Sequence, residues 1–246
     1  MVAKRLSALV VLPVHNERTE VKRVSSEIKK IAKKYPALSV LVVDDGSSDG
    51  TAEALRKALR GARHTRVMEL SSNGGKGRAI RLAFARAKED FLIFMDGDLA
   101  YSIDHLTSMM SQLKKHDMVI GCRSMAPQPD GGLPARRAFL GWGFNRLACW
   151  ILGFDYSDTQ AGLKGFQREA AQKLFSRQKL NDFGFDAELL YLAKKMRLKV
   201  GQIPAQVSGS HTYKTSQVKL LKDTFRCLLD LCLLRWWSWT GGYNLP

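Results

Sequence analysis

No apolar run in this 246-residue chain is long enough to cross a bilayer. The start also falls short of a secretory leader: its apolar stretch is brief and meets Pro13-Val14-His15-Asn16-Glu17 without a small-residue cleavage site. Cysteine is scarce. None of Cys122, Cys149, Cys227 and Cys232 has a partner at the tight spacing of a zinc site or redox motif. They read as reduced core or interface thiols of a cytosolic protein. There is no internal repeat, low-complexity tract or interdomain linker. Negative charge is in short supply, with 23 Asp and Glu against 39 Lys and Arg, a formal net charge of +16. Such an excess points to a polyanionic partner: nucleic acid, a phosphorylated ligand or an anionic membrane surface. What is plentiful is apolar side chain, 45% of residues, enough for a real core and too much for a disordered chain. The length suits one large α/β domain or two small ones.

Apolar stretches at 8–14, 40–43, 65–70, 91–95 and 118–121 read as strands. Helices are predicted between them: 17–35, with Val21, Val24, Ile28 and Ile31 at helical spacing, then about ten residues ending at Gly61, then one ending at Lys88, then 102–116 capped by Ser102. Strands alternating with helices of this length mean right-handed crossovers and a mostly parallel sheet. Past Gly121 the character changes. Residues 125–133 are rich in Pro and Gly, and 138–154 are aromatic and apolar with Arg136, Arg137 and Arg146 nearby. Helices are predicted at 168–175 and 185–196, a strand at 200–207, and a last helix at 214–239. That helix carries Leu221, Phe225, Leu228, Leu229, Cys232, Leu233 and Trp236 on one side.

Three loops of unusual composition follow successive strands. They are Asp44-Asp45-Gly46-Ser47-Ser48-Asp49-Gly50-Thr51, the Gly-rich loop at 71–77, and Asp96-Gly97-Asp98. In a parallel sheet all three open on one edge, where open α/β sheets bind ligands. Asp96 and Asp98 then stand at the rim of a crevice, close enough to share one hard cation, with Gly97 letting a charged ligand approach the backbone. Oxygen-only ligands with open positions suit Mg²⁺ or Mn²⁺ holding a diphosphate.

Together these motifs resemble the inverting family 2 glycosyltransferases of GT-A fold. Val10-Val11-Leu12-Pro13-Val14-His15-Asn16-Glu17 resembles the family's opening strand motif, the loop from Asp44 to Thr51 its second, Asn73-Gly74-Gly75-Lys76-Gly77 its third, and Asp96-Gly97-Asp98 its metal motif. Gly121-Cys122-Arg123-Ser124 is similar to a segment of the polyprenyl-phosphate branch. Asp158-Thr159-Gln160-Ala161-Gly162-Leu163-Lys164-Gly165-Phe166 and Phe185-Asp186-Ala187-Glu188-Leu189-Leu190 look most like dolichyl-phosphate glucosyltransferases. The resemblance runs from residue 7 to about 207 with every motif in order. One departure concerns the metal: the mannose synthases place a Gln two residues after the second Asp, and here that position is Ala100.

The resemblance implies an α/β GT-A catalytic domain over 1–210, with a mixed, mostly parallel sheet flanked by helices. It implies an amphipathic, membrane-interface helix over 211–246. The donor would be a nucleotide-diphosphate sugar cupped by Pro13, Val14, Glu17, Asp45, Lys76, Asp96, Gly97 and Asp98, with Mg²⁺ or Mn²⁺ on Asp96 and Asp98. The acceptor would be a polyprenyl phosphate. Its attacking oxygen is already anionic, so the need is for positive charge rather than a strong base. Arg123 and Arg137 are first choices because guanidinium forks match phosphate oxygens, with Arg136, Lys164 and Lys214 behind them. Asp98, Arg123 and Arg137 would carry catalysis. Asp158 and Gln160 would line the sugar or order the arginines, and His211 would stand behind them. A single displacement predicts inversion. Aromatic residues beside Arg and Lys in 139–154 and 225–239 suit a lipid headgroup region, placing the protein at the cytosolic face of a membrane, or else a second subunit or membrane-protein partner. UDP-glucose is the expected donor and GDP-mannose its rival. A nucleotidyltransferase would carry a Gly-rich basic loop after the first strand, which is absent. A nucleic-acid-binding protein fits the charge, although no nucleic-acid motif is present and none is expected as partner.

Overall fold

A computed structural model describes residues 6–127, 135–182, 184–206 and 220–243, without the side chains of 135–140 and 220–225. At its centre lie β1 (Ala8–Val14), β2 (Leu38–Asp44) and β4 (Phe91–Met95), parallel and adjacent, with β3 (Thr65–Glu69) beyond β2. Their Val, Leu and Ile runs are buried on both faces, as a covered parallel sheet demands. Along β1, Leu9 and Val11 enter one core while Val10 and Leu12 enter the other. Helix α1 (Val21–Lys34) covers the second face with Val21, Val24, Ile28 and Ile31. Helix α3 (Lys76–Phe84) covers the first with Ala79, Ile80, Ala83 and Phe84. Between β2 and β3 runs α2 (Thr51–Ala58).

The complete sheet has seven strands in the order β3-β2-β1-β4-β6-β5-β7, with β5 at Met118–Cys122, β6 at Leu163–Gln167 and β7 at Val200–Pro204. Strand β6 has no counterpart among the strands expected from the sequence. It lies antiparallel to both β4 and β5, with Met95 opposite Leu163. Lys164 and Gly165 hide it from a pattern reading. Gly165 is there because a Cβ would come 2.6 Å from Met109 Sδ on α4 (His105–Leu113). The reversal matters for the site: it brings the start of β6, with residues 158–162 before it, to the edge where β4 ends.

Several boundaries differ from the sequence reading. The first helix starts at Val21, behind a short turn at Arg18–Glu20. Ser102 lies two residues ahead of the Asp104 cap of α4, and its Oγ accepts the Asp104 N–H at 3.2 Å. The last strand stops at Pro204. Helix α5 spans Ala135–Leu152, α6 Arg168–Phe175 and α7 Phe185–Lys195.

The final helix, α8 (Leu220–Trp239), packs on α5 and α7. Its core-facing residues are Leu231 and Leu234, and Leu228 of the expected apolar side packs partly against that core, whereas Leu229, Cys232, Leu233 and Trp236 of that side are exposed and the side chains of Leu221 and Phe225 lie outside the described residues. Beyond it Tyr243 is buried and its hydroxyl donates to Glu188 at 2.8 Å. Among the described residues no helix is long and apolar enough to cross a membrane.

Candidate active site

The carboxyl ends of β1, β2 and β4 and the start of β6 converge. Gly97 sits so close to β1 that a Cβ would lie 2.1 Å from the Pro13 carbonyl oxygen. A Cβ on Gly162 would lie 1.7 Å from Asp96 Oδ2, so the Asp96 carboxylate rests directly on the β6 backbone. The Asp96 N–H donates to the Gly162 carbonyl at 2.9 Å, and the Ala100 N–H donates to Asp98 Oδ1 at 3.0 Å. These contacts fix a turn in which Leu99 takes a left-handed φ of 49°.

The first two motifs are stitched together. Asn16 N–H donates to Ser47 Oγ at 2.8 Å and Ser48 N–H to Asn16 Oδ1 at 3.0 Å; Glu17 N–H donates to Thr51 Oγ1 at 2.9 Å. Pro13 and Glu17 are half-buried and Val14 buried at the rim. Asp45 is buried, and its Oδ2 accepts the N–H groups of Gly74 at 3.1 Å and Gly75 at 2.7 Å. Asp45 therefore clamps the second loop to the third. Gly75 has a φ of 93° and almost touches the Asn181 carbonyl oxygen, which accepts the N–H of Gly77 at 2.8 Å and of Arg78 at 3.3 Å. These four amides of the Gly-rich loop serve Asp45 and Asn181. What the loop turns toward Asp96 is the Lys76 ammonium.

Lys76 Nζ is 2.7 Å from Asp96 Oδ1 and 3.7 Å from Asp186 Oδ2. Desolvation, the largest single influence, opposes the charge on Lys76, but Asp186 and Asp96 together outweigh it and raise its pKa. For Asp96 desolvation again pushes upward, while Lys76, Lys164 and Arg123 together hold the carboxyl below its ordinary range. Lys164 corrects an expectation. It was a candidate for the acceptor phosphate, but it is fully buried, 2.5 Å from Asp186 Oδ1 and 2.6 Å from the Ala161 carbonyl. An ammonium so enclosed holds the interior together and does not reach the surface.

Arg123, just past β5, is gripped by Asp158: Nε donates to Oδ2 at 2.7 Å, Nη2 to Oδ1 at 3.0 Å. Of the two roles expected for Asp158, ordering an arginine is the one its contacts display. Gln160 N–H donates to Asp158 Oδ1 at 3.2 Å, while Gln160 Nε2 and Thr159 Oγ1 are buried with no hydrogen-bond partner among the described residues. Arg136 and Arg137 fall in the first turn of α5, where side chains lie outside the described residues; Lys214 and His211 lie outside them altogether.

Two site residues escaped sequence reasoning. Tyr101 is buried beside this group and its hydroxyl accepts the Gly162 N–H at 3.3 Å; burial first, then Asp96 and Asp158, push its pKa up. Nothing in its sequence surroundings marks it. Asp186 lay within a quoted motif, but only the fold shows it bridging two lysines. Among the described residues, no three His, Cys, Asp or Glu side chains gather as a metal cage. Asp96 and Asp98 nonetheless fit a hard cation whose remaining positions come from the ligand: both are oxygen donors on one turn, and Asp96 is pinned from behind by Gly162.

The chain is 32% identical over 226 residues to the dolichyl-phosphate beta-glucosyltransferase of Homo sapiens, covering 84% of this chain and 69% of that one. It is 26% identical over 246 residues to the enzyme of that name from Dictyostelium discoideum, covering 92% and 75%. Glucosyl-3-phosphoglycerate synthase from Mycobacterium tuberculosis, solved with Mn²⁺, UDP-glucose and phosphoglyceric acid, shares the fold with a TM-score of 0.65 and 18% identity, over 93% of this chain and 79% of that one. The family model for glycosyl transferase family 2 matches residues 9–175, more than half of the sequence, and the chain belongs to that family as a glycosyltransferase of GT-A fold.

Proposed function

We propose that this glycosyltransferase moves glucose from UDP-glucose to a polyprenyl phosphate of the dolichyl type, with inversion, at a membrane surface. The observation that carries the reading is a pairing of opposite charges on one edge. An acidic turn, Asp96 to Asp98, lies within electrostatic reach of an arginine fork that Asp158 holds in place. A sugar diphosphate needs the first and a phosphate nucleophile the second. The relatives' activity supports the choice of sugar and acceptor.

In this reading Asp96 and Asp98 hold Mg²⁺ or Mn²⁺. When bound, the cation supplies positive charge to the departing nucleotide diphosphate. Pro13, Val14 and Glu17 line the nucleotide end, with Asp45 acting through the loop it clamps. Lys76 pairs with diphosphate oxygens. Arg123 orients the acceptor phosphate for in-line attack, aided by Arg137 and Arg136, and no protein base is required because that oxygen is already anionic. Catalysis belongs to residues 1–210, and 211–246 supplies the interface helix.

Docking at the cytosolic leaflet is supported by the outer sides of α5 and α8. Trp142, Trp150, Trp236 and Trp239 are 58–86% exposed there, and Arg146 and Arg226 stand on the same helices. Tryptophan beside arginine suits the headgroup layer. The double variant Trp150→Ala, Trp239→Ala is expected to lose most co-sedimentation with anionic vesicles while keeping its nucleotide response. Unchanged sedimentation would remove this surface from the proposal.

The first experiment is thermal stability against UDP, GDP, CDP and their sugars, with and without Mn²⁺. A ligand bound only by the folded state raises the midpoint, by about 2.7 kcal/mol of stability at a hundredfold excess over Kd. The expected result is a Mn²⁺-dependent rise with UDP and UDP-glucose, followed by glucose transfer to a polyprenyl phosphate. A response to GDP alone would replace the donor with GDP-mannose. No response to any nucleotide would overturn the proposed donor chemistry.

A further inference from the structure

The turn proposed to hold a cation already has one beside it. Lys76 Nζ contacts Asp96 Oδ1 at 2.7 Å, with the side chains 19% and 37% exposed. The ammonium is walled by the rings of Phe94 and Phe185, with centroids 5.3 and 5.4 Å away. Behind it, Asp186 Oδ2 stands at 3.7 Å while Oδ1 of the same carboxylate is taken by Lys164. Charges therefore alternate from Lys164 through Asp186 and Lys76 to Asp96.

The two partners of Lys76 differ in what they can do. Asp96 cannot retreat, because its carboxylate lies against the Gly162 backbone and its own N–H is bonded to the Gly162 carbonyl. Lys76 has a long flexible stem and can swing. Asp186 is shared with the nearer Lys164, so it tethers Lys76 without fully neutralising it. A divalent cation on Asp96 Oδ1 would repel the ammonium beside it, and another anion gives that ammonium a new partner.

We propose that Lys76 is a built-in competitor for the divalent cation at Asp96, so that the cation is taken up together with a nucleotide diphosphate and not ahead of it. The diphosphate offers Lys76 a new anion and releases Asp96; the cation, once seated, strengthens the hold on the diphosphate. Asp186 and Lys164 are positioning residues that keep the ammonium within reach of both. This deepens the cation reading given above and rests on it.

The test measures Mn²⁺ binding to the full chain from the EPR signal of the free ion, with and without UDP, after correction for the Mn²⁺–UDP complex in buffer. For the wild type, UDP is expected to tighten Mn²⁺ binding by about tenfold or more. Lys76→Met is expected to bind Mn²⁺ without nucleotide about tenfold more tightly than the wild type, because a unit positive charge beside the site is gone, and to lose most of the coupling to UDP. Lys76→Arg keeps the charge and is expected to bind Mn²⁺ without nucleotide no more tightly than the wild type does. If Lys76→Met retains the wild-type circular dichroism but binds Mn²⁺ no more tightly, the competition is wrong. Wild-type protein that binds Mn²⁺ equally well without UDP overturns it too, whatever the variants do. Wild-type protein that binds no Mn²⁺ even with UDP overturns the cation reading itself, and the competition falls with it.

Discussion

Asp98→Ala is expected to cut sugar transfer by about 10³-fold or more while leaving the fold in place. The carboxylate stands half-buried just past β4, outside both hydrophobic cores. Losing its hydrogen bond from Ala100 N–H costs about 0.5–1.5 kcal/mol. The turn keeps its other supports: buried Leu99, the Leu99 N–H to Asp96 carbonyl bond at 2.9 Å, and the close approach of Gly97 to Pro13. Chemistry has no such reserve. Asp96 would be the remaining carboxylate on the turn, and Ala100 brings no side-chain oxygen. Asp98→Asn separates the two roles, since its amide oxygen can still accept from Ala100 but carries no charge. Both variants are expected to melt within a few degrees of the wild type and to lose the Mn²⁺-dependent response to UDP. Near-wild-type transfer by either would remove Asp98 from the cation.

Most of the framework could be read from the sequence, because the alternation of buried strands and amphipathic helices is a local signal. Strands β1 to β5 and helices α1, α3 and α6 follow it, and α6 has the expected bounds, Arg168–Phe175. From that order alone, three motif loops had to share one edge. What stayed hidden depends on contacts distant in sequence. Strand β6 carries a lysine at its second position, and the buried charge is met by Asp186, twenty-two residues on. No pattern within β6 announces that. The same contact turned Lys164 from a surface candidate into an interior one. In α8 the apolar residues are so numerous that periodicity could not say which side turns inward. Packing against α5 and α7 selects Leu231 and Leu234. Asp45 was marked by its motif, but its duty of holding the Gly74 and Gly75 amides required the second and third loops to be seen together.

Arg123→Lys is expected to lower transfer to a polyprenyl phosphate by about 10²-fold, with nucleotide binding unchanged. The argument turns on geometry. Arg123 uses Nε and Nη2 on the two oxygens of Asp158, and its backbone N–H also reaches Asp158 Oδ2 at 3.3 Å. Asp158 is almost wholly buried while the Arg123 side chain is 37% exposed, so the carboxylate acts as the anchor of the fork. A lysine preserves the charge but cannot bond Asp158 through two nitrogens held in one plane. Charge alone would then bring the phosphate near without aligning it. Asp158→Asn makes the converse test. It keeps the guanidinium and weakens its anchor, and it should raise the KM for the acceptor with a smaller fall in kcat as the fork loses its single orientation. Arg123→Ala is the poorer probe, because it leaves the buried Asp158 carboxylate unpaired and threatens the fold. If Arg123→Lys instead abolishes the response to UDP and Mn²⁺ and slows transfer to a water-soluble acceptor as much as to the polyprenyl phosphate, Arg123 serves the donor. The acceptor phosphate must then be held by the arginines that open α5.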